Sequence, residues 1–209
     1  MNLIAQDVST AIDWWVETRP LPGEAVSGDV HVVEEFDGGV LVAVIDGVGH
    51  GEPALEAAQI AATALAAHAG EPLARLMEIC HGELIATRGA AVTLIAVREQ
   101  DENLHWLAVG NVDARVLRAE PSPERPSEGV VLRGGLIGCR LPNLLPAKVT
   151  LQYGDVLVIA TDGVNPDFDR SINVKQTARQ IAQSVMRQHF KGTDDALVLA
   201  ARYVGGQNE

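Results

Sequence analysis

Two unbroken apolar strand-like runs of this chain lead into an aspartate followed by a glycine. Leu41 to Ile45 runs into Asp46-Gly47, and Val156 to Ala160 runs through Thr161 into Asp162-Gly163. Unbroken apolar runs of this kind suit buried strands. A carboxylate directly after such a strand stands at the rim of the sheet, since burying it unpaired would be costly. The glycine that follows permits a sharp turn and a close backbone approach. The chain must therefore fold into buried sheets with acidic side chains at their rim.

Other segments fill in the layers. Strand signals occur at Ile12 to Thr18, Val30 to Phe36, Ala91 to Val97, Leu104 to Val109, Val112 to Arg118 and Ala196 to Val204. Asp37-Gly38-Gly39 reads as a hairpin turn between two of these runs. Three helices interrupt them. Pro53 to Ala69 exposes a narrow polar stripe of Glu52, Glu56, Gln59 and Thr63. A second helix follows Pro72, with Leu73, Leu76, Met77, Cys80 and Leu84 on one face. A third uses Val174, Ala178, Ile181, Ala182, Val185 and Met186. Hairpin-linked strands broken by a helical pair and a late helix predict an α+β fold, in which antiparallel sheets pack together under helices. Ala119 to Gly129, rich in Pro, Ser and Glu, reads as a long solvated hairpin loop. No linker or repeat divides the 209 residues, which predicts a single domain over residues 1–209.

Composition narrows the function. With 16 Lys+Arg against 28 Asp+Glu, the net charge is −12. That is unsuited to nucleic acid or to an anionic membrane surface. Two cysteines, Cys80 and Cys139, make neither a disulfide scaffold nor a thiolate zinc site. Met1 to Asp13 has no leader pattern, and Ala57 to Ala69 is too short to span a bilayer. The expectation is a soluble cytoplasmic protein.

The chemistry lies where acid meets glycine: Ser27-Gly28-Asp29, Asp46-Gly47-Val48-Gly49-His50-Gly51, Thr161-Asp162-Gly163 and Gly192-Thr193-Asp194-Asp195. Converging carboxylates repel one another unless protons or cations compensate them. Oxygen-only ligands suit hard divalent ions such as Mg²⁺ or Mn²⁺. Gly47-Val48-Gly49-His50-Gly51 imitates a dinucleotide turn, but its sixth position is Glu52, and no phosphate-loop GK[ST] occurs.

Four motifs in order, RPLPGEAVSGD (Arg19 to Asp29), DGVGHG (Asp46 to Gly51), ATDGV (Ala160 to Val164) and GTDDAL (Gly192 to Leu197), resemble the metal-dependent PPM or type 2C phosphatases. The SpoIIE-like branch is the closer likeness, and Gly110-Asn111 and Gly134 to Gly138 also match it. The resemblance covers about residues 10 to 204. It implies a four-layer αββα sandwich of two antiparallel sheets flanked by helices. It also implies two Mn²⁺ or Mg²⁺ ions, with a third weak site in some members. By motif, Asp46 would bridge both ions, the Gly47 carbonyl would bind one, and Asp162 and Asp194 would ligate the other. Asp29 would act in the second shell or through water, and Asp195 is a weaker candidate. Asp46, Asp162 and Asp194 would be catalytic through the ions, which would activate an attacking hydroxide. His50 stands four residues after Asp46, where it is either a general acid or a helix-entry histidine bonded to the loop. Pro166-Asp167-Phe168-Asp169 is either a flap over the site or a surface loop.

The short chain, with its RPLPGE opening, resembles the stand-alone feedback phosphatases of the stressosome. That implies phosphoserine or phosphothreonine substrates on STAS-domain stressosome scaffold proteins, and a monomer. Two alternatives stay open. One is a SpoIIE-like phosphatase acting on an anti-sigma-factor antagonist. The other is a catalytically weak metal-binding interaction module, since Leu197 stands where this branch often has Thr.

Overall fold

The turn read at Asp37-Gly38 forms, with Gly38 at φ 79°. It joins β2 (Asp29–Phe36) to β3 (Gly39–Gly47) in antiparallel register, which sets Asp29 opposite Asp46. β4 (Ala90–Arg98) pairs with the far side of β3, and β5 (Asn103–Val109) lies beyond it. The second sheet runs β1 (Ile12–Arg19), β11 (Ala196–Tyr203), β10 (Val156–Ala160), β6 (Asp113–Leu117) and β7 (Glu128–Gly129). These features come from a computed structural model that describes residues 11–98 and 102–205. Most of the stretch read for a leader lies outside the described residues. No helix among the described residues is long and apolar enough to cross a membrane.

The sheets pack face to face and helices cover both outer faces, as the α+β reading and the resemblance predict. One core, with Val42, Val44, Ile95, Trp106, Ile159 and Leu199, lies between the sheets. A second lies beneath α1 (Glu52–Ala67) and α2 (Leu73–Leu84), and a third beneath α3 (Ala178–His189). The alanines of α1 that face inward are buried, and Glu56, Gln59 and Thr63 stay exposed. All three tryptophans, Trp14, Trp15 and Trp106, are buried.

Two details differ from the sequence reading. Val174 precedes the third helix rather than joining it. Thr177 caps α3, accepting from the Gln180 N–H at 3.2 Å, and the Gln180 side chain returns the bond to the Thr177 N–H. The sheets are not wholly antiparallel, because β8 (Leu132–Arg133) pairs with β5 in parallel. A further strand, β9 (Ala147–Thr150), pairs antiparallel with β5. Both are too short or too exposed to show an apolar pattern.

The loop read as a solvated hairpin loop is one, with Glu120 to Glu124 exposed between the antiparallel β6 and β7, and a buried carboxylate ties it down. Asp155 is 1% exposed and accepts from Arg118 Nη1 at 2.9 Å and from Arg125 Nη2 at 2.8 Å. The backbone N–H groups of Ala119 and Gln152 donate to it as well, at 3.0 and 3.1 Å. Arg118 in turn donates to the carbonyls of Pro126 and Thr150. The loop after β6 is therefore strapped to the turn before β10. Removing one member of such a pair strands the other charge out of water. Asp155→Ala should destabilise the fold by about 3–5 kcal/mol. Denaturant unfolding checks this, alongside faster proteolysis between residues 119 and 127.

Candidate active site

Strand direction brings the acidic residues together. β2 starts at Asp29 on the rim where β3 ends at Asp46 and Gly47. In the other sheet, β10 ends and β11 begins at that same rim, with Ala160 opposite Val198. Asp162 therefore follows one strand and Asp194 precedes its neighbour. Asp46, Asp162 and Asp194 line one cleft of about 400 Å³, together with Val48, Gly49, Ala91, Gly110, Asn111, Gly134, Gly135 and Leu136.

The glycines after these aspartates answer to space. A Cβ on Gly47 would stand 2.1 Å from the Ala54 carbonyl oxygen, and one on Gly163 would stand 1.9 Å from that of Asp195. The first turn of α1 and the start of β11 can therefore press against the strand ends. The opposite wall is held by backbone bonds. Ala90 and Ile137 exchange N–H···O bonds of 3.1 and 2.9 Å, and the Gly110 N–H donates to the Arg133 carbonyl at 2.9 Å.

Electrostatics set the cleft apart. Burial, and then the charges of Asp162, Asp194 and Asp195, push the Asp46 carboxyl up to about 7. Asp29, 6% exposed, lies well above the usual carboxylate range through burial and the Asp46 charge. A hydrogen bond from Thr161 opposes that rise. Asp194 is raised by burial too, opposed by the Asp195 N–H that donates to it at 2.9 Å. All the side-chain donors are oxygens, as hard divalent ions require. Among the described residues, no three His, Cys, Asp or Glu side chains are drawn tightly enough to hold an ion as they stand.

Two sequence candidates are engaged elsewhere. Asp195 is buried, and its two oxygens accept from the Leu21 and Gly28 N–H groups, each at 2.7 Å. It fastens the segment before β2 onto β11. His50 pairs through Nδ1 with Glu24 at 2.7 Å and does not line the cleft. That geometry matches the helix-entry alternative. The segment after Asp162 is anchored rather than free, since a 3-10 turn at Phe168–Ser171 buries Phe168.

Sequence reasoning missed three supporting groups. The Thr161 hydroxyl donates to Asp29 at 2.7 Å and accepts from the Leu197 N–H at 2.8 Å, which bridges the two sheets. Asn111 Nδ2 donates to Asp162 Oδ2 at 2.6 Å, and Lys191 Nζ donates to the Asp162 carbonyl at 2.6 Å. Thr161 and Asn111 sit within quoted motifs, but nothing in those motifs shows where their side chains aim. Lys191 carried no such signal.

The family model described as Stage II sporulation protein E (SpoIIE) matches residues 37–204, which contain Asp46, Asp162 and Asp194. The chain belongs to the SpoIIE family. Its fold is that of the PPM phosphatases, and it is a serine/threonine phosphatase of that class. Phosphoserine phosphatase RsbX of Bacillus subtilis (strain 168) is 25% identical over 174 residues, which cover 83% of this chain and 85% of RsbX. A chain solved in work on the bacterial stressosome, as a modular system adapted to control secondary messenger signalling, is 29% identical. It has a TM-score of 0.83 and covers 91% of this chain and 99% of its own. The crystal structure of RsbX in complex with magnesium superposes with a TM-score of 0.85 at 21% identity, covering 96% of this chain and 100% of that one.

The raised carboxyls set a pH dependence for the metal-free SpoIIE-family fold. A folded-state pKa above the unfolded value means that the folded state binds the proton more tightly. Its stabilising effect is full below about 4 and is lost as pH rises through about 7. Asp46→Asn should therefore raise the melting temperature in chelator at pH 7.5, and that gain should vanish near pH 4. Paired thermal melts of the two proteins check it.

Proposed function

We propose that this phosphatase depends on divalent metal ions and removes phosphate from phosphoserine or phosphothreonine on STAS-domain proteins of a stressosome. The observation that carries the proposal is the meeting of Asp46, Asp162 and Asp194, from two sheets, in one open cleft. The site fits Mg²⁺ or Mn²⁺ by its all-oxygen donors and by the burial and neighbouring carboxylates that lift Asp46 to about 7. The described residues would work as one phosphatase domain. The stressosome part rests on the likeness to RsbX, named a phosphoserine phosphatase, and to the chain from the stressosome work.

Asp46, Asp162, Asp194 and the Gly47 carbonyl would hold the ions, with Asp29 behind them. Two ions are the proposed number. Bound there, they would supply Lewis acidity and the positive charge that a phosphomonoester needs. The chain's own groups do the positioning. Asn111 fixes the rotamer of Asp162 through Oδ2, and Lys191 holds the backbone that carries it. Thr161 holds Asp29 in place through Oδ2. A cysteinyl-phosphate route is poorly served. Cys80 lies on the buried face of α2, where burial pushes its thiol up to about 12, and Cys139 does not line the cleft.

Incubation with a serine-phosphorylated STAS-domain scaffold protein, read by intact mass, tests the proposal. Phosphate should be lost with Mn²⁺ and retained in chelator. Asp46→Ala should slow the loss by about a hundredfold or more, the scale of removing one preorganised electrostatic group. Full turnover in chelator would refute metal dependence. An untouched phosphoprotein beside rapid aryl phosphate hydrolysis would refute the substrate class alone.

A further inference from the structure

We propose that Arg88 is the residue that captures the substrate's phosphoryl group at the mouth of the cleft. This inference rests on the phosphatase reading above. Arg88 Nη1 stands 3.0 Å from the point that a Cβ on Gly49 would occupy, and Gly49 is part of the cleft wall. Gly49 sits at φ 94°, a conformation that glycine adopts freely, and its missing side chain leaves room for the guanidinium. The guanidinium has no hydrogen-bond or ion-pair partner among the described residues, although the cleft it borders is acidic.

The backbone beneath Arg88 is tied on both sides. Thr87 Oγ1 donates to the Leu84 carbonyl at 2.8 Å and accepts from the Gly89 N–H at 3.0 Å. The Val48 N–H donates to the Gly89 carbonyl at 3.0 Å, which fastens this turn to the loop that follows Asp46. The Arg88 backbone is thereby held beside the loop that follows Asp46. Lys191 is already committed to the Asp162 carbonyl, and Arg19 stacks on Phe190 with its Cζ 5.6 Å from the ring centroid. Arg88 has no such commitment.

The chemistry fits a phosphate. A guanidinium presents paired N–H donors that match two phosphate oxygens and keeps its charge at any working pH. Metal ions in the cleft would offset the carboxylates, and a cation on the protein side adds directional donors for the phosphate oxygens that point away from them. Arg88 would take two of those oxygens and hold the phosphoryl group in the mouth of the cleft. It is a substrate-binding group and makes no bond to the reacting metal centre.

The test compares wild type, Arg88→Ala and Arg88→Lys in saturating Mn²⁺ with p-nitrophenyl phosphate. Arg88→Ala should raise KM about tenfold with kcat changed less than about threefold, the scale of one charge-assisted hydrogen-bonded contact. Inorganic phosphate, titrated calorimetrically into the metal-loaded protein, should bind about tenfold more weakly to Arg88→Ala. Arg88→Lys should recover part of both losses. The Mn²⁺ concentration for half-maximal rate and the melting temperature should not move. An unchanged KM and phosphate affinity in an active Arg88→Ala protein would overturn the role of Arg88 and leave the phosphatase reading intact. A fall in kcat or in Mn²⁺ affinity with KM unchanged would also overturn it. A wild type without metal-dependent turnover would overturn both together.

Discussion

Repulsion among carboxylates is the constraint around which this molecule is built. Asp29, Asp46, Asp162 and Asp194 meet at one rim of the sandwich, and burial and mutual charge lift Asp46 to about 7. A fold gains nothing from such crowding unless something positive is to enter. The sheets hold the carboxylates in place. β3 is buried along almost its whole length between β2 and β4, and β10 is buried between β11 and β6. Neither strand end can retreat from its neighbours without breaking a continuous ladder.

Three polar contacts stop the rim from spreading under that repulsion. The Thr161 hydroxyl joins the end of β10 to Asp29, which belongs to the opposite sheet. Asp195 accepts two backbone N–H groups from the segment before β2, so a fifth carboxylate is spent on fastening. Pairing with Ile137 draws the glycine-rich stretch from Gly134 to Leu136 over the cleft from the far side. Of the aspartates in the motifs, then, some are placed to face a cation and one to clamp the frame.

The sequence showed the strand ends plainly, because an apolar run that stops on Asp-Gly is a local signal. It also showed the cleft's main acids, since each lies beside a strand or turn that period and composition mark out. Asp194 and Asp195 show where this fails. They are adjacent and chemically identical, and only the direction of each side chain, set by β11, separates one that faces the cleft from one that clamps Leu21 and Gly28. β8 and β9 were invisible because strands of 2 and 4 residues paired at the margin of a sheet carry no period. The strap on Asp155 was hidden for another reason. A Pro-, Ser- and Glu-rich loop looks solvated by composition, while the arginines that pin it reach across to a turn some 30 residues later.

A cleft of this design separates two duties. The carboxylates create a place for hard cations, and cationic and amide groups at the edges, Lys191, Asn111 and Arg88, order what surrounds it. The central claim is that Asp46 and Asp162, from different sheets, serve one cation site. Manganese binding followed by electron paramagnetic resonance tests it most directly, because free Mn²⁺ loses its solution signal when bound. Wild type should bind the ion tightly, and Asp46→Asn and Asp162→Asn should each weaken that binding by about tenfold or more, the smallest loss expected when a ligand group is removed. Undiminished Mn²⁺ binding in either folded variant would contradict it.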